Sequence, residues 1–441
     1  MKLAKISLAA AVALGALSTA SFAQPLEEAI KGVDVSGYLR YRYNDDRYSD
    51  RNNVKDASET SATHQYKVKA DFKTPVVNNV AFNLGILYHN DQATTNRGSG
   101  TTPGQGTEQF FGTGLGAGED GNFGVSTFYA TYTPDSTKTT VMIGKQLLNT
   151  PVTNAGDEDR GTGILALNSD IPNWTFAAGA FDTFAINDLM KGYIGNERSV
   201  TKGLYTLAAL ANYGDFTAQA WAFAIEDVVK NLFFVELAYK YSMFGIKGQY
   251  AYAALDNGDN GLYGKNYLGA GDELAKKNSL YTIEATVDYK PVDFKLGYIG
   301  SGNDGYSVSL DDEGKFSKAG KLWWQNNATG VSISALPLGS KALPGKDEED
   351  ELTVVYVDLG YKVLDNLRLN IEYVDGEAKF KSPGVANDKR EFTELTPGFN
   401  YQYSKNLNLS GYYAMLKTDT NTPGEEDEKR NRARLQALYK F

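Results

Sequence analysis

The last ten residues of the chain alternate in character from one position to the next. Ala433, Leu435, Ala437, Tyr439 and Phe441 fall on one face. Arg432, Arg434, Gln436, Leu438 and Lys440 fall on the other, and only Leu438 among them is apolar. Successive side chains of an extended strand point to opposite sides, so such a segment has one oily and one wet face. The pattern recurs early in the chain. Val35, Gly37, Leu39, Tyr41 and Tyr43 alternate with Ser36, Tyr38, Arg40 and Arg42, and Tyr66, Val68, Ala70 and Phe72 alternate with Gln65, Lys67, Lys69, Asp71 and Lys73.

The breaks between such segments have a rhythm. Eight short connections are expected near 75–79, 134–138, 169–173, 214–215, 242–243, 291–293, 364–366 and 404–406. Nine longer ones are expected near 44–63, 91–122, 148–163, 183–202, 225–230, 254–278, 301–351, 376–389 and 417–430. Short and long alternate, and seventeen connections join eighteen strands. Turns on one side and loops on the other are the pattern of an all-β, antiparallel transmembrane barrel, with short periplasmic turns and long extracellular loops. Strands near 123–133, 164–168 and 390–403 alternate poorly, which leaves the count open by two. Tyrosines such as Tyr239, Tyr241, Tyr250, Tyr252, Tyr361, Tyr401 and Tyr403 fall beside the breaks, where an apolar ring with a polar tip suits the headgroup level. With 29 Tyr and 45 Gly against 12 Pro, the composition fits many short strands.

The amino terminus sets the compartment. Lys2 and Lys5 precede an apolar run from Ile6 to Ala20, and Ser21-Phe22-Ala23 supplies the small residues that a signal peptidase reads. Residues 1–23 are therefore read as a secretory signal, and 24–441 as a single barrel domain in the outer membrane of a Gram-negative cell. No second apolar run of helical length follows, so a membrane crossing must use strands.

The chemistry looks sparse. There is no cysteine, and His64 and His89 are the only histidines. No zinc motif, nucleophile elbow or phosphate loop occurs, which argues against an enzyme. The net charge of −10 argues against a nucleic-acid partner. Like-charge runs at 347–351 and 425–428 read as solvated loop tips. The third long loop carries Asp157, Glu158 and Asp159, followed by Arg160. If it folds inward, its carboxylates narrow a pore and attract cations; if not, it is an ordinary external loop. The wet faces are segregated by charge. Arg40, Arg42, Lys67, Lys69, Arg432 and Arg434 line the seam, while Glu236, Glu284 and Asp288 sit half-way round. A basic wall facing acids sets a field that sorts ions and orients solutes.

At four stretches the sequence resembles the major outer membrane porin family of Campylobacter and its relatives. They are Pro25–Ile30 after the signal, Val33–Tyr43, Gly144–Thr150 and the terminal Arg434–Phe441. The resemblance implies an eighteen-stranded, homotrimeric, cation-preferring porin with its third loop bent into the lumen. It also implies a calcium ion in the constriction, for which Asp157, Asp159 and Glu236 are the candidates, although their spacing departs from the family's. No other cofactor is expected. Phe441 resembles the signal read by barrel-assembly machinery, and outer-membrane lipid and lipopolysaccharide would surround the barrel. The expected activity is diffusion of ions and small hydrophilic solutes. An alternative is a surface adhesin or structural barrel acting through its loops, for which Trp323 and Trp324 in the 301–351 loop are the motive.

Overall fold

The computed structural model describes residues 32–49, 58–90, 93–99, 122–186, 202–256, 277–311, 314–325, 348–381, 388–419 and 427–441. The expected signal segment, the stretch Pro25–Ile30 and most of the loop tips lie outside these residues.

Eighteen antiparallel strands close on themselves. In chain order they begin with β1 (Asp34–Ser49), β2 (Ser58–Lys73), β3 (Val80–Asn90), β4 (Asn122–Tyr132), β5 (Thr139–Leu147) and β6 (Arg160–Asn168). The far side is β7 (Trp174–Ala185), β8 (Leu204–Tyr213), β9 (Phe216–Ile225), β10 (Val229–Tyr241), β11 (Phe244–Leu255) and β12 (Lys277–Tyr289). The chain returns through β13 (Val292–Ser301), β14 (Glu349–Leu364), β15 (Leu367–Lys381), β16 (Asp388–Gln402), β17 (Leu407–Asp419) and β18 (Glu428–Lys440). A further segment, Ala93–Ser99, pairs with the outer end of β2 beyond β3 and prolongs that strand rather than adding one. Closure pairs Tyr38 with Lys440 and Arg42 with Gln436, and the Gly37 and Phe441 backbones bond both ways at 3.1 Å. A closed sheet leaves no edge unpaired in lipid.

The alternation in the sequence becomes the two faces of the wall. Val35, Leu39, Tyr41, Val68, Leu435 and Tyr439 are exposed on the outside, while Lys67 and Lys69 are buried on the inside. Tyr239, Tyr241, Tyr289, Tyr361 and Tyr403 are exposed at the turn side. The poor alternation near 123–133 has a local cause. The register slips between Gly85 and Ile86, which face Thr127 and Val125, so Ser126 is bulged out of the ladder. A bulge re-aims side chains: Phe123 and Val125 face outward before it, Phe128 and Tyr132 after it, and Ser126 turns into the interior, buried.

Two expectations need correcting. The connection expected at 225–230 is only the turn 226–228, with Asp227 in a left-handed conformation. Short and long connections therefore do not alternate throughout. Nor is the inner face wet all round. Leu232, Phe234, Ala251, Leu280, Leu352, Val354, Val374, Phe392 and Leu416 form a buried apolar cluster on the inner faces of β10 to β17. What covers it is the long connection after β13. Its residues Tyr306, Val308, Leu310, Phe316, Leu322, Trp323 and Trp324 belong to the same cluster.

Candidate functional site in the lumen

The third loop, 148–159, is built to hold a shape. Gly144 within β5 has φ +129°, against the backbone of Phe128, where other residues are strained. β4 and β5 stop pairing at Phe128 and Lys145, and the Lys145 ammonium donates to the freed Val125 carbonyl at 2.6 Å. The chain then turns inward. Thr153 Oγ1 donates to the Leu148 carbonyl at 2.6 Å and accepts from the Thr150 N–H at 3.1 Å. Asn154 caps a single 3-10 turn, Ala155–Asp157, by accepting from Gly156 N–H at 2.9 Å.

Glu158 leaves that turn with φ +72°, a conformation that costs a branched or extended side chain about 1–3 kcal/mol unless the surroundings impose it. They do impose it. The carboxylate accepts from Lys69 Nζ at 3.4 Å, from Ser126 Oγ at 2.5 Å and from Tyr38 OH at 3.4 Å, and Lys67 Nζ lies 3.8 Å away. Lys67 also donates to the Gly156 carbonyl at 2.9 Å. The loop therefore lies inside the barrel, bound to the basic wall of β1 and β2.

This placement separates the three acids. Glu158 is 6% exposed and covered by two ammonium groups. Asp159 is 0% exposed, and its Oδ2 accepts from the Asn154 N–H at 2.7 Å within the loop. Asp157 is half-buried and accepts from the Asn154 amide at 2.9 Å. Arg160 stands at the start of β6, beyond the loop. On the seam, Arg432 Nε pairs with Asp46 at 2.8 Å. Arg42 Nε donates to Gln436 at 2.9 Å and Arg434 Nε to Asn44 at 2.6 Å, while Arg40 shares the inner face of β1.

Across the lumen the acids meet the second inward loop. Glu236 accepts from the Gln219 and Gln249 amides at 2.8 and 2.5 Å. Glu284 accepts from Tyr356 OH at 2.8 Å, with Lys247 at 3.6 Å, and Asp288 is exposed near the turn side. Glu394 is fully buried and accepts the backbone N–H groups of Lys321, Leu322 and Trp323 at 2.5, 2.9 and 2.9 Å. Glu372 takes the Gly320 N–H at 2.7 Å and the Lys321 ammonium, also at 2.7 Å. Trp323 stacks on Phe392 with centroids 5.6 Å apart and meets Trp324 edge-on at 5.1 Å. These tryptophans, part of the motive for an adhesin reading, are therefore lumen packing, while 326–347 of the same connection lie outside the described residues.

The two loops touch. Leu310 and Asp311 N–H donate to the Val152 carbonyl at 3.0 and 3.1 Å, and Lys315 N–H to that of Pro151 at 2.7 Å. Among the described residues no group of three His, Cys, Asp or Glu is placed to hold a metal ion, so Asp157, Asp159 and Glu236 do not converge as a ligand set. Sequence reading missed Tyr38, Ser126, Gln249 and Glu394, as well as the inward course of 302–311 and 314–325. The paired Trp323 and Trp324 were the readable sign of it.

A closed eighteen-stranded barrel with loops folded into a charged lumen defines an outer-membrane porin. The sequence profile described as Campylobacter major outer membrane protein matches residues 1–441, and the chain belongs to that family. Solved structures agree in fold. Pseudomonas aeruginosa OccK8 (OprE) is 15% identical with a TM-score of 0.62, over 94% of this chain and 99% of that one. Acinetobacter baumannii OccAB4 is 13% identical with a TM-score of 0.60, over 93% and 98%. A BenF-like porin from Pseudomonas fluorescens Pf-5 is 17% identical with a TM-score of 0.59, over 92% and 98%. No curated protein sequence matches.

Proposed function

We propose that the chain is a diffusion channel for ions and small hydrophilic solutes, that it prefers cations, and that it works as a homotrimer. The observation carrying this reading is the anchoring of the third loop on the wall. Two buried lysines hold it by Glu158, so it narrows the lumen as a fixed element. That pairing offsets part of the wall's positive charge at the loop, where Glu158 faces Lys67 and Lys69 and Asp71 lies 3.9 Å from Lys69. Glu236, held by two neutral amides and by no ion pair among the described residues, adds an acidic group to the inner face of β10. Selectivity follows the charge nearest the narrow point. For the trimer, the support is a shallow apolar hollow on the outer face of β6 to β10, paved by Ala166, Ala178, Ala209, Ala220 and Ala222, where a second wall can approach closely.

The test is current through the purified full chain in a planar bilayer. Steady unitary conductance with a reversal potential on the cation side of a salt gradient is expected. A silent bilayer refutes the channel, and an anion-side potential refutes the preference. Cross-linking of the detergent-solubilised protein should stop at three copies.

A further inference from the structure

Beneath the third loop, on the turn side, the inner faces of β1 to β9 enclose a cavity of about 710 Å³. That is within the size range of small-ligand sites. Its lining is of three kinds. Leu148, Leu165, Phe181 and the Trp221 ring make an apolar floor. Asp34 and Lys73, paired across the β1–β2 ladder, stand at the rim with Asp71 near by. Gln146 and Thr206 line the interior.

Gln146 is the telling residue. It is 3% exposed, and neither its Nε2 nor its Oε1 is hydrogen-bonded to a protein group. Thr206 Oγ1 is equally bare at 5% exposure. Nearly all buried polar side chains in proteins find partners, so an amide bare at both ends and facing a cavity points to a ligand. The complement of a bare amide is a group with an acceptor and a donor side by side, which is another amide. The rim adds charge of both signs. Lys73 forms no ion pair among the described residues, and the Asp71 side chain is 42% exposed with Lys69 only at 3.9 Å.

We propose that this cavity is a subsite for small zwitterionic solutes carrying an amide and an apolar side chain, of about dipeptide size. The peptide unit bonds Gln146 and Thr206, the side chain lies on Trp221 and Phe181, the carboxylate meets Lys73, and the ammonium meets Asp34 or Asp71. The inference rests on the channel reading for its purpose but not for its test.

The test is calorimetric titration of the detergent-solubilised full chain with alanyl-leucine. Free leucine, which lacks the amide, and N-acetyl-leucine amide, which lacks both charges, are the comparators. One site per chain is expected, with each comparator about tenfold weaker or worse. Gln146→Leu and Lys73→Gln should each raise the dissociation constant about tenfold, in protein that still migrates as a folded barrel on an unheated gel. Lys73 stands at the rim, so its variant keeps the test alive if Gln146→Leu fails to fold. No measurable heat, equal binding of all three compounds, or unchanged affinity in the folded variants would overturn the proposal. Binding with a silent bilayer would reject the channel and leave the subsite standing.

Discussion

The carboxylate of Glu158 meets the ammonium of Lys69 at 3.4 Å across the lumen wall, although 89 residues separate them. Both side chains are almost wholly buried, with Lys67 as a second cation at 3.8 Å. Breaking a buried pair from one side leaves uncompensated charge and costs about 3–5 kcal/mol. Glu158→Gln therefore strips the third loop of its ionic anchor, leaving Lys67 only the Gly156 carbonyl and Lys69 only the more distant Asp71. Single-channel conductance should rise and grow noisy as the loop swings. Adding Lys69→Met should restore part of the steadiness, because one stranded charge goes with it. A quiet channel of wild-type conductance in Glu158→Gln would show that the loop is held by its own turns.

The wall gives a second contrast. Leu435 is 53% exposed on the outer face, and its neighbour Arg434 bonds Asn44 inside. An Arg on the lipid face at mid-depth costs about 2–4 kcal/mol, while lumen positions tolerate change. Leu435→Arg should lower the urea midpoint of folding into vesicles far more than Arg434→Leu. Equal shifts would mean that the strand is one residue out of register.

Glu394 should prove to be the pin of the second loop. It accepts three consecutive backbone N–H groups and the Thr396 hydroxyl, with no cation paired to it among the described residues. Its removal as Glu394→Ala leaves those donors buried and bare, at about 1–3 kcal/mol each. Amide exchange at Lys321, Leu322 and Trp323 should speed up by at least tenfold, and tryptophan emission should shift to the red. Unchanged exchange would show that the aromatic packing alone holds the loop.

The turn 169–173 carries a pH dependence. The Thr137 hydroxyl, the Asn168 amide and the Lys138 N–H, in that order, hold the Asp170 carboxyl below the usual carboxylate range. A depressed folded value stabilises the folded form above the unfolded value, and that contribution is lost as pH falls through the folded one. Barrel stability at neutral pH should therefore exceed that at acid pH by less in Asp170→Asn than in wild type. Urea midpoints at the two pH values check this.

Much of this architecture was legible in the chain and some was not, for physical reasons. The seam strands were readable because one face meets lipid and the other meets water and charge. β14 was delimited by its breaks, but its inner face was not read as apolar, since Leu352, Val354 and Tyr356 inside are as apolar as Val355 and Leu359 outside and such a strand loses its polar period. The inward turn of the third loop was undecided by its own residues. Its anchor comes from Lys67, Lys69 and Ser126, and Ser126 reaches it through a bulge that the sequence marks only as poor alternation. The placement of 320–323 depends on Glu372 and Glu394, which the sequence places far downstream.

Ion preference is where this placement changes the expectation most. Read from sequence, the three consecutive acids would act together at the narrow point. Their environments differ, so their effects should differ. Charges beyond a Debye length, about 8 Å at physiological salt, are largely screened from a passing ion. Within that distance the partners and exposure of each charge decide how much of it an ion feels. Glu158 is matched by Lys67 and Lys69, so Glu158→Gln turns a near-neutral patch basic. Asp157, half-buried and bonded to a neutral amide, contributes its own charge. Asp159 spends its carboxylate on the Asn154 backbone inside the loop. In a salt gradient, the reversal potential should move toward anions most for Glu158→Gln, less for Asp157→Asn and least for Asp159→Asn. All three shifts should shrink as salt rises. Equal shifts at the three positions would mean that the acids share one solvated environment, and a larger effect at Asp159 than at Glu158 would contradict the anchoring by the lysines.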